Sequence, residues 1–282
     1  AVVVNYHAHP CALMEMDLSA VSRDVPGEVV DRIETRFPGS TALYLQGTCG
    51  DVNFKREYSW PEGYQEPGKL IADAALAALS HAHSVADSGI CVIHKEISLP
   101  TRRWTSQEIA SDRDEGVYRL KTGDIAGWQE GIVRNMVVAP SRLPQRYNGS
   151  VDQTVAAISR FATEWTDDML AKMDRHPTSI ATEVQAVRIG DIYFVAHPAE
   201  LFTSHGLEIR RRWPNDSLFF LGYSNDGIGY VPDEYDLEHC GYAAINSPKN
   251  RGEFPYTVDA GRVLVEELLV ALQQTIPPPA SA

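Results

Sequence analysis

Two histidines close an apolar run near the start of the chain, Val2-Val-Val-Asn-Tyr-His-Ala-His-Pro10. Side chains alternate faces along a strand, so His7 and His9 are expected to point the same way. Two imidazoles on one face suit a single metal ion, because neutral imidazole is the commonest nitrogen ligand. A strand end whose histidines bond to backbone explains the same spacing. A carboxylate partner elsewhere in the chain is what would separate the two readings.

Other segments share this form, an apolar strand running into a loop of small and polar residues. Strand ends of this kind are where ligand sites collect in layered α/β folds. In Gln46-Gly-Thr-Cys-Gly-Asp-Val-Asn53, Gly47 and Gly50 let the backbone turn sharply and approach a ligand. The loop N–H groups could face a developing oxyanion. Asp51 either orders the turn through local backbone bonds or takes part in chemistry. Val195-Ala-His-Pro-Ala-Glu200 supplies a carboxylate at the expected start of a helix. A Glu there also simply complements the helix dipole, but beside imidazoles it is the ligand mix of catalytic zinc. His197 and His205 flank it as candidates to support the ligands. Gly222-Tyr-Ser-Asn-Asp-Gly-Ile-Gly-Tyr-Val-Pro232 sets Tyr230 among glycines. Its phenol could ligate a metal, donate to an oxyanion, or pack beneath the loop. Tyr223 closes a strand and is expected to pack. His81, His83, His94, His176 and His239 have no convergent partners in sequence and read as surface or packing residues.

The elements that must position these residues follow from pattern. Pro26-Gly27 opens a helix that Pro38-Gly39 ends. Residues 41–46 read as a buried strand, 69–83 as a helix and 90–99 as an alternating strand. Residues 105–173 are charged and mainly helical, interrupted by Pro140 to Ser150. Strands are expected at 182–189 and 191–196 around a Gly190-Asp191 hairpin turn. A helix from about Glu200 to Trp213, a strand at 217–223, a long loop over 224–255 and an amphipathic helix over 258–274 complete the reading. This mixture predicts a layered α/β or α+β fold, a mixed sheet flanked by helices. It is expected to form a single domain over 1–275, with a mainly helical insertion or flank near 105–175 and a disordered tail over 276–282.

Composition narrows the function. A net charge of −13 over 282 residues argues against nucleic acid or an anionic membrane surface as main partner. No window reaches the roughly 18 apolar residues of a membrane span. Cys11, Cys49, Cys91 and Cys240 form no CxxC pair, which argues against a zinc ribbon or thioredoxin-like site. Asn148-Gly-Ser150 and Asn215-Asp-Ser217 fit the glycosylation acceptor pattern, which matters only in a secreted eukaryotic protein. No secretory signal is visible, and the compartment stays open. The chain lacks an initiator Met and opens inside what reads as a core strand, so a preceding portion is expected.

Taken in order, the motifs resemble the catalytic domain of neutral ceramidase-like hydrolases. The matching residues are Asn5-Tyr-His-Ala-His-Pro10, Leu18-Ser-Ala-Val-Ser-Arg-Asp-Val-Pro-Gly27, Leu45-Gln-Gly-Thr-Cys-Gly-Asp-Val-Asn53, Pro198-Ala-Glu-Leu-Phe-Thr203 and Gly222 to Pro232. Each is short; the ordered set is what carries the resemblance. It implies a zinc (Zn2+) amidase with metal ligands His9, Glu200 and Tyr230. A further family histidine has no match here and would lie in an N-terminal segment or a second chain that completes the site. His7 becomes a supporting or packing residue, as do His197 and Gly50. The resemblance also implies a secreted or periplasmic protein.

Two departures bear on substrate. Ceramidases carry a serine where this chain has Asn53, which could orient water or an oxyanion but cannot be a nucleophile. No counterpart of their immunoglobulin-like C-terminal domain is expected here. The expectation is a small-molecule amide or ester substrate, cleaved with help from Asp51, Asn53 and Tyr230, by a chain that could self-associate. The alternatives are a zinc esterase or lactonase on the same scaffold, or an inactive ligand-binding relative.

Overall fold

The opening strand covers the apolar run and ends at Tyr6, one residue before the first histidine. A computed structural model of the chain describes residues 1–13, 21–58, 63–85, 89–123 and 151–276. Strand β1 is Val2–Tyr6, and it pairs in parallel with β2, Ala42–Gln46. Between them runs helix α1, Asp24–Arg36, whose Val25, Val29 and Ile33 recur at helical spacing and are buried. Helix α2, Gln65–Leu79, starts earlier than its Ala-rich run, since Pro67 is tolerated in a first turn. α1, α2 and the inner face of β1 and β2 share one apolar cluster around Val25, Val29, Ile33, Ala42 and Ile71.

A second sheet has the order β3-β4-β5-β7. Its strands are β3 (Ile90–Pro100), β4 (Ser179–Ile189), β5 (Ile192–Ala196) and β7 (Leu218–Leu221). β3, β4 and β5 are antiparallel neighbours, and β7 adds in parallel to β5. Helix α3, Ser106–Thr122, and helix α4, Val151–Lys172, pack against each other. They bury Trp104 against Trp165 in an edge-to-face pair with centroids 5.2 Å apart. Pro140 to Ser150, the 18–20 part of the second motif and the tail from 277 lie outside the described residues.

The expected helix from Glu200 is in fact two elements. Glu200–Leu201 is strand β6, and helix α5 then runs Thr203–Arg212. The expected long loop also holds structure: strand β8 (Tyr230–Val231), helix α6 (Glu234–Glu238), a π-type turn (Tyr242–Asn246) and helix α7 (Ser247–Arg251). The last helix, α8, is Asp259–Gln274. Its stripe of Ala260, Leu264, Val265, Leu268, Ala271 and Leu272 shares the main core with Leu99, Val184, Ala186, Val195 and Phe220. At the edge of the second sheet, Ile90 and Val92 of β3 and Ile189 of β4 are exposed. No described helix is long and apolar enough to cross a membrane.

Asn5 ties the two sheets together. Its Nδ2 donates to the carbonyls of Leu45 and Phe220 at 2.9 and 2.8 Å, and its Oδ1 accepts from Phe220 N at 3.1 Å. Gly222 N donates to Gln46 O at 2.8 Å, so β7 enters its loop alongside the end of β2. Parallel pairing aligns the carboxyl ends of β1 with β2, and of β5 with β7.

Candidate functional site

The loops leaving these strand ends meet at His9. β1 ends at Tyr6, so strand alternation no longer governs the histidines after it, and His7 and His9 part. His7 Nδ1 lies 2.9 Å from Thr48 Oγ1 and accepts from Thr48 N at 3.1 Å. Its ring also packs edge-on to Phe220. His9 is turned into the cluster and is 8% exposed. Its N–H donates to Val52 O at 2.8 Å, which fixes its loop to the one after β2.

Glu200 and Tyr230 are brought together by a short parallel ladder. β6 and β8 pair in the register Glu200↔Tyr230 and Leu201↔Val231. Residues directly paired in a ladder project side by side. His9 Nε2 stands 3.1 Å from Tyr230 Oη and 3.8 Å from Glu200 Oε2. The loop after β2 presses against the same ladder, with Gly50 N donating to Leu201 O at 2.9 Å. A Cβ on Gly50 would lie 2.5 Å from the Glu200 carbonyl oxygen, and one on Gly47 would lie 2.4 Å from His7 Nδ1. Both glycines are therefore required by close approach. The Gly50 N–H is already engaged and is not free for an oxyanion.

Burial sets the protonation of the cluster. Desolvation lowers the His9 pKa and outweighs the opposing pull of Glu200, the Gly50 backbone and Asp51. His9 is thus a neutral imidazole near pH 7, the form that ligates metal. Tyr230 is raised, first by burial and then by the Glu200 charge, so its O–H is retained. Cys49, 1% exposed, is pushed up to about 11 by burial and stays a thiol, which removes it as a nucleophile.

Asp51 points to the start of α5. Its Oδ1 accepts from Thr203 N at 2.7 Å and its Oδ2 from Thr203 Oγ1 at 2.8 Å. Asn53 is exposed at the end of the same loop. His197 is fully buried, and neither ring nitrogen has a hydrogen-bond partner. His205 Nε2 lies 3.1 Å from Pro232 O. Among the described residues, then, His7, His197 and His205 each turn elsewhere, and no further imidazole joins His9.

Sequence reasoning missed several participants. Tyr223 does not simply pack: its Oη is 3.0 Å from Cys49 Sγ and 3.3 Å from His9 Nδ1. Tyr242 packs edge-on to Tyr230 with centroids 5.7 Å apart, and its phenol is raised by burial and, more weakly, by Glu200. Asp24 accepts from the N–H groups of Ala12, Leu13 and Val25 at 3.0, 2.9 and 2.7 Å, which pins the loop after His9 to the start of α1. It does so with φ at +50°, a conformation Asp tolerates better than most residues. A polar residue before an apolar helical run is a cap signal that could have found it.

Solved structures share this arrangement of elements. Neutral ceramidase from Pseudomonas aeruginosa superposes on 99% of this chain and 45% of its own, with a TM-score of 0.54 at 14% identity. A ceramidase complexed with C2 superposes on 99% of this chain and 46% of its own, with a TM-score of 0.56 at 15% identity. The chain has the neutral ceramidase fold. It spans under half the length of these ceramidases. No family model and no curated protein sequence matches it. At this identity the ceramidase likeness is one of fold, and chemistry rests on the cluster itself.

The donor set fits zinc. Ligands held about 2.0–2.2 Å from a tetrahedral ion stand about 3.3 Å apart. The separations of 3.1 and 3.8 Å from His9 Nε2 bracket that value. Among the described residues no three His, Cys, Asp or Glu side chains converge, and the third side chain beside His9 and Glu200 is the Tyr230 phenol. Burial opposes its ionisation, and the charge of a bound cation is what would draw the proton off.

Proposed function

We propose that the chain is a zinc-dependent hydrolase that cleaves an amide, N-acyl, bond in a small molecule. The convergence of His9, Glu200 and Tyr230 carries this reading: three segments far apart in sequence deliver an imidazole, a carboxylate and a phenol to one point. Three protein donors with an open position is the composition of a catalytic zinc site. Zinc, when bound, supplies Lewis-acid chemistry and brings the pKa of water from about 16 toward about 7.

The chain's own residues do the rest. His9, held neutral by burial, offers a nitrogen lone pair. Glu200 brings the negative charge that favours a cation in this place. The Tyr242 O–H beside Tyr230 is a donor for the oxygen of an attacked carbonyl. Asn53 is at the loop end as an amide, which can orient water but cannot form an acyl intermediate. Attack by water rather than by a side chain is therefore the reading. A narrow cleft open to solvent lies beside Tyr230 and is lined by Ile228, Ala243, Pro248, Arg251 and Phe254.

Zinc content and hydrolysis of matched N-acyl amide and ester substrates, with and without chelator, test this reading. The expected result is bound zinc, chelator-sensitive turnover, and loss of turnover in Glu200→Ala with the fold retained. Ester-only turnover would assign an esterase. A folded protein with neither zinc nor chelator-sensitive turnover contradicts the proposal.

A further inference from the structure

We propose that Tyr223 and Cys49 are a positioning pair for His9, holding its imidazole as the Nδ1–H tautomer so that the Nε2 lone pair faces Glu200 and Tyr230. The inference rests on the reading of His9 as a metal ligand.

The two ring nitrogens have different neighbours. Nε2 faces Tyr230 Oη at 3.1 Å and Glu200 Oε2 at 3.8 Å. Nδ1 faces Tyr223 Oη at 3.3 Å and Cys49 Sγ at 3.7 Å. A histidine that ligates through one nitrogen carries its proton on the other, and that N–H needs an acceptor. Tyr223 Oη can accept it while giving its own O–H to Cys49 Sγ, 3.0 Å away. The chain of donors then runs from His9 Nδ1–H to Tyr223 to the Cys49 sulfur, a weak acceptor that ends it. On the other side, an unprotonated Nε2 can accept from the Tyr230 O–H, a group that also stands in hydrogen-bond contact with Glu200. The Nδ1–H tautomer satisfies these contacts together.

The backbone is shaped for this. Tyr223 follows the last residue of β7 by two positions and has φ at +55°, which costs a non-glycine residue on the order of 1 kcal/mol. A Cβ on Gly222 would lie 3.0 Å from Gly47 O, so the two loops run against each other here. The left-handed turn at Tyr223 carries its hydroxyl across to Cys49 in the neighbouring loop. The pair thus joins the loops after β2 and β7 behind the imidazole that the first loop positions.

The test compares wild type, Tyr223→Phe and Cys49→Ala. Long-range 1H–15N correlation on metal-free protein reads the His9 tautomer. Competition with a chromophoric chelator reads zinc affinity, and urea midpoints report the fold. Metal-free wild type should show Nδ1–H. Tyr223→Phe should populate both tautomers and weaken zinc about 10–100-fold, the usual cost of losing such a partner, at a nearly unchanged urea midpoint. Cys49→Ala should weaken zinc less. An Nε2–H tautomer in wild type overturns the inference, as does a Tyr223→Phe affinity equal to wild type. A wild type that binds no zinc refutes the metal reading of His9, while the tautomer measured without metal still decides the positioning. That wild-type measurement stands even where a variant fails to fold.

Discussion

His197 makes the protein acid-sensitive by an amount that can be worked out. Its ring is fully buried beside Gly222, with no hydrogen-bond partner on either nitrogen. Burial, reinforced by nearby His7 and His205 and only partly opposed by the Ala199 backbone, pushes its pKa down to about 4. In the unfolded chain the ring titrates near its ordinary value of about 6.5. The folded pKa is depressed, so as pH falls the unfolded chain takes up the proton first. Stability is therefore present above about pH 6.5, is lost between there and about pH 4, and stays level below. The loss is about 2 kcal/mol between pH 7 and pH 5, and about 3 kcal/mol in full, against a typical total of about 5–15 kcal/mol. His7 is also lowered, chiefly by burial, and adds in the same direction. His197→Met isolates the term, since Met is of similar size, adaptable in packing and does not titrate. Urea unfolding at pH 7, 6 and 5 should show wild type losing about 2 kcal/mol more than the variant over that interval. Wild-type and variant stabilities that fall in parallel with pH would refute the reasoning.

Other perturbations give sharp expectations. Gly50→Ala places a Cβ against the Glu200 carbonyl and the Phe202 ring, so it should cost roughly 1–3 kcal/mol in urea unfolding and weaken zinc binding together. Asp24→Ala removes the acceptor for three backbone N–H groups and should cost about 2–4 kcal/mol by the same assay. Asp51→Ala separates anchoring from chemistry. Loss of its two bonds to Thr203 should cost about 1 kcal/mol of stability with turnover lowered only modestly, whereas a fall of 100-fold or more at unchanged stability would make Asp51 catalytic.

The sequence was legible where pattern repeats over several turns. Val25, Val29 and Ile33 mark α1, and the Ala260 to Leu272 stripe marks α8, because burial at helical spacing is written in residue type. The ordered motifs also pointed to the fold that the ceramidase structures share. The strands that assemble the site were not legible. β6 and β8 are two residues each, too short for any period, and only their pairing reveals that Glu200 and Tyr230 stand side by side. Alternation misplaced His7 because β1 ends at Tyr6, one residue before it. The Tyr223 and Cys49 contact spans loops 174 residues apart and depends on a left-handed backbone that residue type does not announce.

The most direct test of the central claim is anomalous diffraction at the zinc absorption edge from crystals grown with zinc. The account predicts a peak held by His9 Nε2, Glu200 and Tyr230 Oη at about 2.0–2.2 Å each. Zinc bound elsewhere, with these three side chains in place and no peak among them, would contradict it.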